Sequence, residues 1–214
     1  MSMGPQTGQY PPDKVFSWSP WPMIKHGPVR VSAQIARRGK EGVYDEELDL
    51  AIERIQDVDP LYPLPEGTYA LLGDECVYDL KGFDTFDNGS NLMLGNDRVR
   101  AFLEAHCGGE VAFTPITVQA KDGELPGAWW VVRILNSVEG IDWNRVRRDP
   151  KTGGIQLGTP ARLRDGALGA LNIALLNERP FQIMVSNSLR LALLQSGLRD
   201  PVAYDPDSPW EKRS

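Results

Sequence analysis

Glycine and proline punctuate this chain from end to end: 21 Gly and 17 Pro stand among its 214 residues, well above the roughly 12 % usual for the pair. Proline removes a backbone donor and holds its predecessor extended, while glycine supplies turn conformations that other residues avoid. Long helices are therefore not expected. The fold class that follows is α+β, mainly antiparallel short strands with a few short helices. At 41 % apolar residues, a chain of this length buries a core without disulfides.

The first 28 residues hold six of the prolines, Pro5, Pro11, Pro12, Pro20, Pro22 and Pro28, and read as an extended arm ahead of a single domain over 29–214. Phe16, Trp18 and Trp21 alternate there with polar and turn residues. Such rings either pack the arm onto the core or form an aromatic contact patch for a partner. Val29 to Ala33 reads as a short strand. From Tyr44 to Asp59 the pattern predicts a helix, capped by Asp45, with Leu48, Ile52 and Ile55 as its apolar stripe and Pro60 as its stop. Its outer face carries Glu46, Glu47, Asp49, Glu53 and Asp57.

Charge is unevenly placed. From Asp45 to Asp87 there are 13 acidic residues against Arg54 and Lys81, while the whole chain has a net charge of −6. Nucleic-acid binding needs clustered Lys and Arg, so no nucleic-acid partner is expected. A basic protein surface fits better, and Glu46, Glu47, Asp49 and Glu53 become candidate partner-binding residues together with Trp18 and Trp21. The stretch around Cys76, Val77 and Tyr78 reads as a short strand. Asp84, Asp87 and Asn88 read as a turn, since their spacing does not meet the alternating ligands of a calcium loop.

The second half is more regular. Asn96 caps a predicted helix with Val99, Phe102, Leu103 and His106 on one stripe, stopped by Gly108 and Gly109. Strands are predicted from Val111 to Val118 and from Trp129 to Leu135, paired antiparallel. Residues 145–166 read as turns, with Arg145, Arg147, Arg148 and Lys151 near Gly153 and Gly154 but without the spacing of a phosphate loop. Residues 167–177 are compatible with helix or strand. A strand over 181–185, a helix over 188–196 and a strand over 202–204 complete the chain. Residues 94–115 align without a gap on 185–206, with six identities that include Asn96 with Asn187 and Leu103 with Leu194. Each copy spells a capped helix, a turn and a short strand, so the expected fold contains a duplicated helix-turn-strand unit with Asn96 and Asn187 as its caps.

Residues that carry chemistry are sparse. His26 sits in the arm, and His106 adjoins Cys107 on a helix, where neighbours point about 100° apart and make no dyad. Cys76, Cys107 and the two histidines lack the paired spacing of a zinc site. The expectation is no catalytic residue, no metal and no cofactor. Two free thiols, no apolar leader and no run of 18 apolar residues point to a cytoplasmic chain without a membrane span.

The order of four pieces then resembles immunity-protein family eleven of bacterial polymorphic-toxin systems over about residues 90–206. The pieces are NLMLGNDRVRAFLEAHCGGEVAFTPI, WWVVRILNSVEGIDW, LGALNIALLNERPFQIMVSN and LRLALLQSGLRDPVAY, in that order. Asn96, Pro115, Trp129 with Trp130, Asp142 and Val185 with Ser186 carry the likeness. The resemblance implies a protein that binds and neutralises a cognate toxin, and it assigns no catalytic residues. The rival readings are an enzyme, such as a hydrolase of unknown substrate, and a self-assembling structural protein; a homo-oligomer is compatible with each.

Overall fold

The structure, a computed structural model, describes residues 10–19, 33–40, 42–57, 59–73, 76–80, 82–87, 92–155, 162–198 and 202–204. In chain order its elements begin with β1 (Val15–Ser19), β2 (Ala33–Arg37), α1 (Glu46–Asp57), β3 (Thr68–Leu72), α2 (Val77–Leu80) and β4 (Thr85–Asp87). Then come β5 (Met93–Asn96), α3 (Asp97–His106), β6 (Val111–Ala120), β7 (Gly123–Glu124) and β8 (Trp129–Ile134). The chain continues with β9 (Ser137–Val138), β10 (Ile173–Leu176), β11 (Arg179–Ser186), α4 (Asn187–Gln195) and β12 (Val202–Tyr204). This is an α+β fold dominated by short strands, mostly antiparallel.

The chain divides into two compact units. Unit 1 comprises Met1–Ser19, Asn136–Gly197 and Ala203–Ser214, and unit 2 comprises Pro20–Leu135 and Leu198–Val202. The described end of the expected arm is a sheet strand, because its alternating apolar residues bury well: Val15, Phe16 and Trp18 are all at most 2 % exposed. The strand expected over Val29 to Ala33 lies outside the described residues except for Ala33, which opens β2.

Unit 2 is built on a seven-stranded sheet in the order β2-β3-β6-β8-β5-β4, with β7 paired to β6. β6 changes partner along its length: Val111–Ile116 pair antiparallel with β8, and Thr117–Ala120 pair parallel with β3. Lys121 and Asp122 make the tight turn into β7. α1 buries Leu48 and Ile55 of the expected stripe, with Ala51 beside them, while Ile52 is only partly buried. Two expectations fail here. Cys76 to Tyr78 is not a strand, because the Asp122 carboxylate accepts the Val77 amide at 2.7 Å and starts the short turn of α2 instead. Thr85–Asp87 is not a turn but the edge strand β4, paired with β5 and anchored by the fully buried Phe86 against Trp129 at 5.0 Å.

Unit 1 has a five-stranded sheet in the order β12-β1-β11-β10-β9. Its core gathers Val15, Ile141, Leu163, Leu168, Ala174, Leu176 and Met184. The ambiguous stretch over 167–177 turns first and then forms β10, drawn into strand by antiparallel pairing with β11. Gly140 is required where it stands: a Cβ there would lie 2.7 Å from Leu176 Cδ1 and 2.8 Å from Met184 Sδ.

The duplicated unit is present in both sheets, with a corrected register and a corrected cap. Asn96 caps α3 as expected, accepting from the Arg98 and Val99 amides. The cap of α4, however, is Ser186, whose hydroxyl accepts from Leu189 N; Asn187 is the first helical residue. The buried pairs are Val99 and Leu103 on α3, and Leu189 and Leu193 on α4, each 90 positions further along. The gap-free alignment had matched Leu103 to Leu194, which is 44 % exposed. The strands that follow start at Val111 and Val202, 91 positions apart, so the second copy has one more residue between the start of its helix and the start of its strand.

The correspondence extends past the helices. In unit 2, β8 lies between β5 and β6; in unit 1, β1 lies between β11 and β12. Trp130 faces Gly95 across one pair and Phe16 faces Val185 across the other. Over these two rings stack two equivalent guanidiniums, Arg100 at 4.1 Å from Trp130 and Arg190 at 4.6 Å from Phe16. Shared cap, register, buried pair and cation–π stack identify one β-α-β module with an inserted central strand, used twice.

Candidate partner-binding surface

α1 positions the acidic candidates. Asp45 accepts the Leu48 amide at 3.3 Å and so fixes the helix start, and acidic side chains in the first turn suit the positive end of the helix dipole. With Leu48, Ala51 and Ile55 turned inward, Glu46, Glu47, Asp49 and Glu53 are all exposed on the outer face. The four are not equivalent. Arg37, on β2, ion-pairs with Asp45 through Nε at 2.7 Å and also with Glu47; these carboxylates in turn hold the guanidinium pKa above its ordinary value, the Glu47 hydrogen bond contributing most. Glu47 thus ties the helix to the sheet, while among the described residues Glu46 and Glu53 form no ion pair.

Three apolar side chains emerge within this field. Val43 is 65 % exposed, Tyr44 74 % and Leu50 46 %. Asp49 is the main cause that raises the Tyr44 phenol pKa, by its charge and by a hydrogen bond, with Glu46 and Glu53 adding to it. Sequence reasoning passed over these residues. The available signal was that Leu50 falls off the Leu48, Ile52 and Ile55 stripe, so a helix that buries the stripe must expose it.

The aromatic candidates fare differently. Trp18 is 2 % exposed inside β1, because its strand is enclosed by sheet, so its ring belongs to the core and not to a contact patch. Trp21 lies outside the described residues, as does His26.

Other polar groups serve the fold. Asp84, 2 % exposed, accepts from Arg98 at 3.0 Å and from Asn96 Nδ2 at 2.7 Å, pinning the start of α3. A cavity of about 200 Å³ beside it is lined by Asn96, Asp97, Arg98 and Trp129 among others, but Asp97 is engaged by Trp130 Nε1 at 2.8 Å. Arg133, 3 % exposed, donates to the Pro60 and Tyr62 carbonyls, and its burial lowers the guanidinium pKa. Cys107 is fully buried, which pushes its thiol up to about 12. His106 stacks on Phe102 at 4.6 Å. Among the described residues no three His, Cys, Asp or Glu side chains converge as metal ligands, and no helix is long and apolar enough to cross a membrane.

Residues 142–155 form a tight basic turn. Asp149 accepts the amides of Lys151 at 2.7 Å and Thr152 at 3.1 Å, and Arg148 bridges to Ile155. Arg145, Arg147, Arg148 and Lys151 are exposed around it. No family model matches the chain, and no characterised protein matches it significantly.

Proposed function

We propose that the chain is an immunity protein, which binds a cognate toxin in a stoichiometric complex and neutralises it by covering its active cleft rather than by turnover. The observation that carries this reading is the outer face of α1, where Tyr44 and Leu50 stand exposed among Glu46, Asp49 and Glu53. Inhibition by occlusion requires anchors that desolvate well, with opposite charge around them to speed encounter. An exposed tyrosine ringed by carboxylates meets both requirements toward a basic cleft. The order of motifs over about residues 90–206, which resembles a family of immunity proteins, points the same way.

The test is co-expression with the protein encoded by the neighbouring reading frame. Cells should survive that protein only when this chain is present, and the two should co-elute as a complex. Protection should fail for the Tyr44→Ser, Glu46→Lys, Asp49→Lys, Glu53→Lys variant while its thermal melt stays that of the parent. A neighbour that is harmless alone, or a chain that protects without forming a complex, would overturn the proposal.

A further inference from the structure

The surface of unit 1 carries a patch opposite in sign to the α1 face. Between Asp142 and Ile155 the chain places the exposed Arg147, Arg148 and Lys151 beside two carboxylates, Asp142 and Asp149. Both carboxylates are turned onto backbone: Asp142 accepts the Asn144 amide at 3.1 Å, and Asp149 accepts the two amides of its own turn. The turn is closed further by Asp149 N to the Gly154 carbonyl and Gly153 N to the Asp149 carbonyl, both at 2.8 Å. Gly153 makes this closure possible with φ at +71°. Arg148 lies over the Trp143 ring, 4.3 Å from its centroid, so at least one cation is already held in place.

A cation already held in place, as Arg148 is, loses less conformational freedom on pairing than a free one would. Its complement needs carboxylates that have no cation on them. α1 supplies such groups in Glu46 and Glu53, which form no ion pair among the described residues, and in Asp49, which is oriented by Tyr44. The apolar surface beside them, Val43, Tyr44 and Leu50, gains by being covered. Exposed Pro150 in the turn offers an apolar contact to it.

From this charge complementarity we infer that the basic turn of one copy docks on the α1 face of a second copy, so that the free protein self-associates head to tail. The inference rests on the proposed function only in the face it uses, and it adds regulation to that face: a cationic partner and the second copy's turn compete for Glu46, Asp49 and Glu53. Self-association would then store the protein with its docking face covered and release it on encounter with the partner.

Sedimentation velocity of the full chain alone, without any partner, tests this. Raising salt from about 0.01 M to about 1 M shortens the screening length from roughly 30 Å to roughly 3 Å, and the associated species should give way to monomer. Two charge-reversed variants separate this from general stickiness. Arg147→Glu, Arg148→Glu, Lys151→Glu in one chain, and Glu46→Lys, Asp49→Lys, Glu53→Lys in another, should each be monomeric at low salt. Mixed in equal amounts they should pair again, since each reversed surface then meets its complement. Melting curves that match the parent show that both variants fold. A parent chain that is monomeric at low salt, or variants that stay monomeric when mixed, would overturn the inference. Neither result bears on the toxin complex, which is read separately by co-expression and co-elution.

Discussion

The module of unit 2 and the module of unit 1 reach the same arrangement from different connectivity. In unit 2 the strand between β5 and β6 is β8, which follows β6 closely through β7. In unit 1 the strand between β11 and β12 is β1, brought from the other end of the chain; Gln182 of β11 bonds Ser17 of β1 across 165 positions. A sheet recognises a strand by pairing geometry and by the side chains it buries, not by where the strand lies in sequence. The difference shows in the burial of the central ring. Phe16 is fully buried, whereas Trp130 is half-buried and held by Asp97 and Arg100 at the surface.

The largest expected effect follows from that difference. Phe16→Ala should cost about 3–5 kcal/mol, as for other deletions of a buried ring, and hydrogen exchange should report loss of protection in β10 and β11. Trp130→Ala should cost less, about 1–2 kcal/mol, from the lost stack and the lost hydrogen bond. Equal costs, measured by denaturant unfolding, would break the comparison.

Alkaline pH should then separate the units. Cys107 follows α3, and the position 90 further along is Gly197, so unit 1 has no thiol there. The Cys107 thiol is raised to about 12 in the folded chain, whereas an unfolded thiol titrates near about 8.5. Between these values the unfolded state binds fewer protons than the folded state. Stability therefore falls as pH rises through that window, by at most about 1.4 kcal/mol per unit, and is unaffected below it. Cys107→Ala should flatten the slope. A slope unchanged by that substitution would show that other groups set the alkaline response. In parallel, a thiol reagent at pH 8 should label half-buried Cys76 and spare Cys107.

The caps give the smallest and most local test. Asn96→Ala and Ser186→Ala should each cost about 1 kcal/mol, and Asn187→Ala only a few tenths, since Asn187 lies inside the helix and caps nothing. Thermal melts of the three variants decide whether Asn96 corresponds to Ser186 or to Asn187.

These particulars also mark what could be read from sequence. The helices α1, α3 and α4, the strands β6, β8 and β11, and the existence of a duplicated unit were legible because each rests on local periodicity and caps. The register of the duplication was not, because a gap-free match rewards Leu103 with Leu194, and only burial reveals that Leu193 is the inward residue. The place of β1 was not legible either. Proline-rich flanks and alternating rings describe an arm and an enclosed strand equally well, and the choice lies with pairing partners 165 positions away. For the surface, the acidic face was legible from helical spacing, but Trp18 was misplaced for the same reason as β1. The special position of Glu47 depends on Arg37, a contact between β2 and α1 that no spacing encodes.

That contact shapes the most direct test of the proposed docking face. Glu47 should be left in place, and Glu46→Lys, Asp49→Lys, Glu53→Lys compared with the parent for association rate with the toxin partner across a salt series. Steering acts through the field of the surface and is screened over about 8 Å at physiological ionic strength. At low salt the variant should associate about tenfold more slowly or worse and lose most of its salt dependence, while its melting curve matches the parent. Equal rates and equal salt slopes would contradict the account and return the face of α1 to simple solvation.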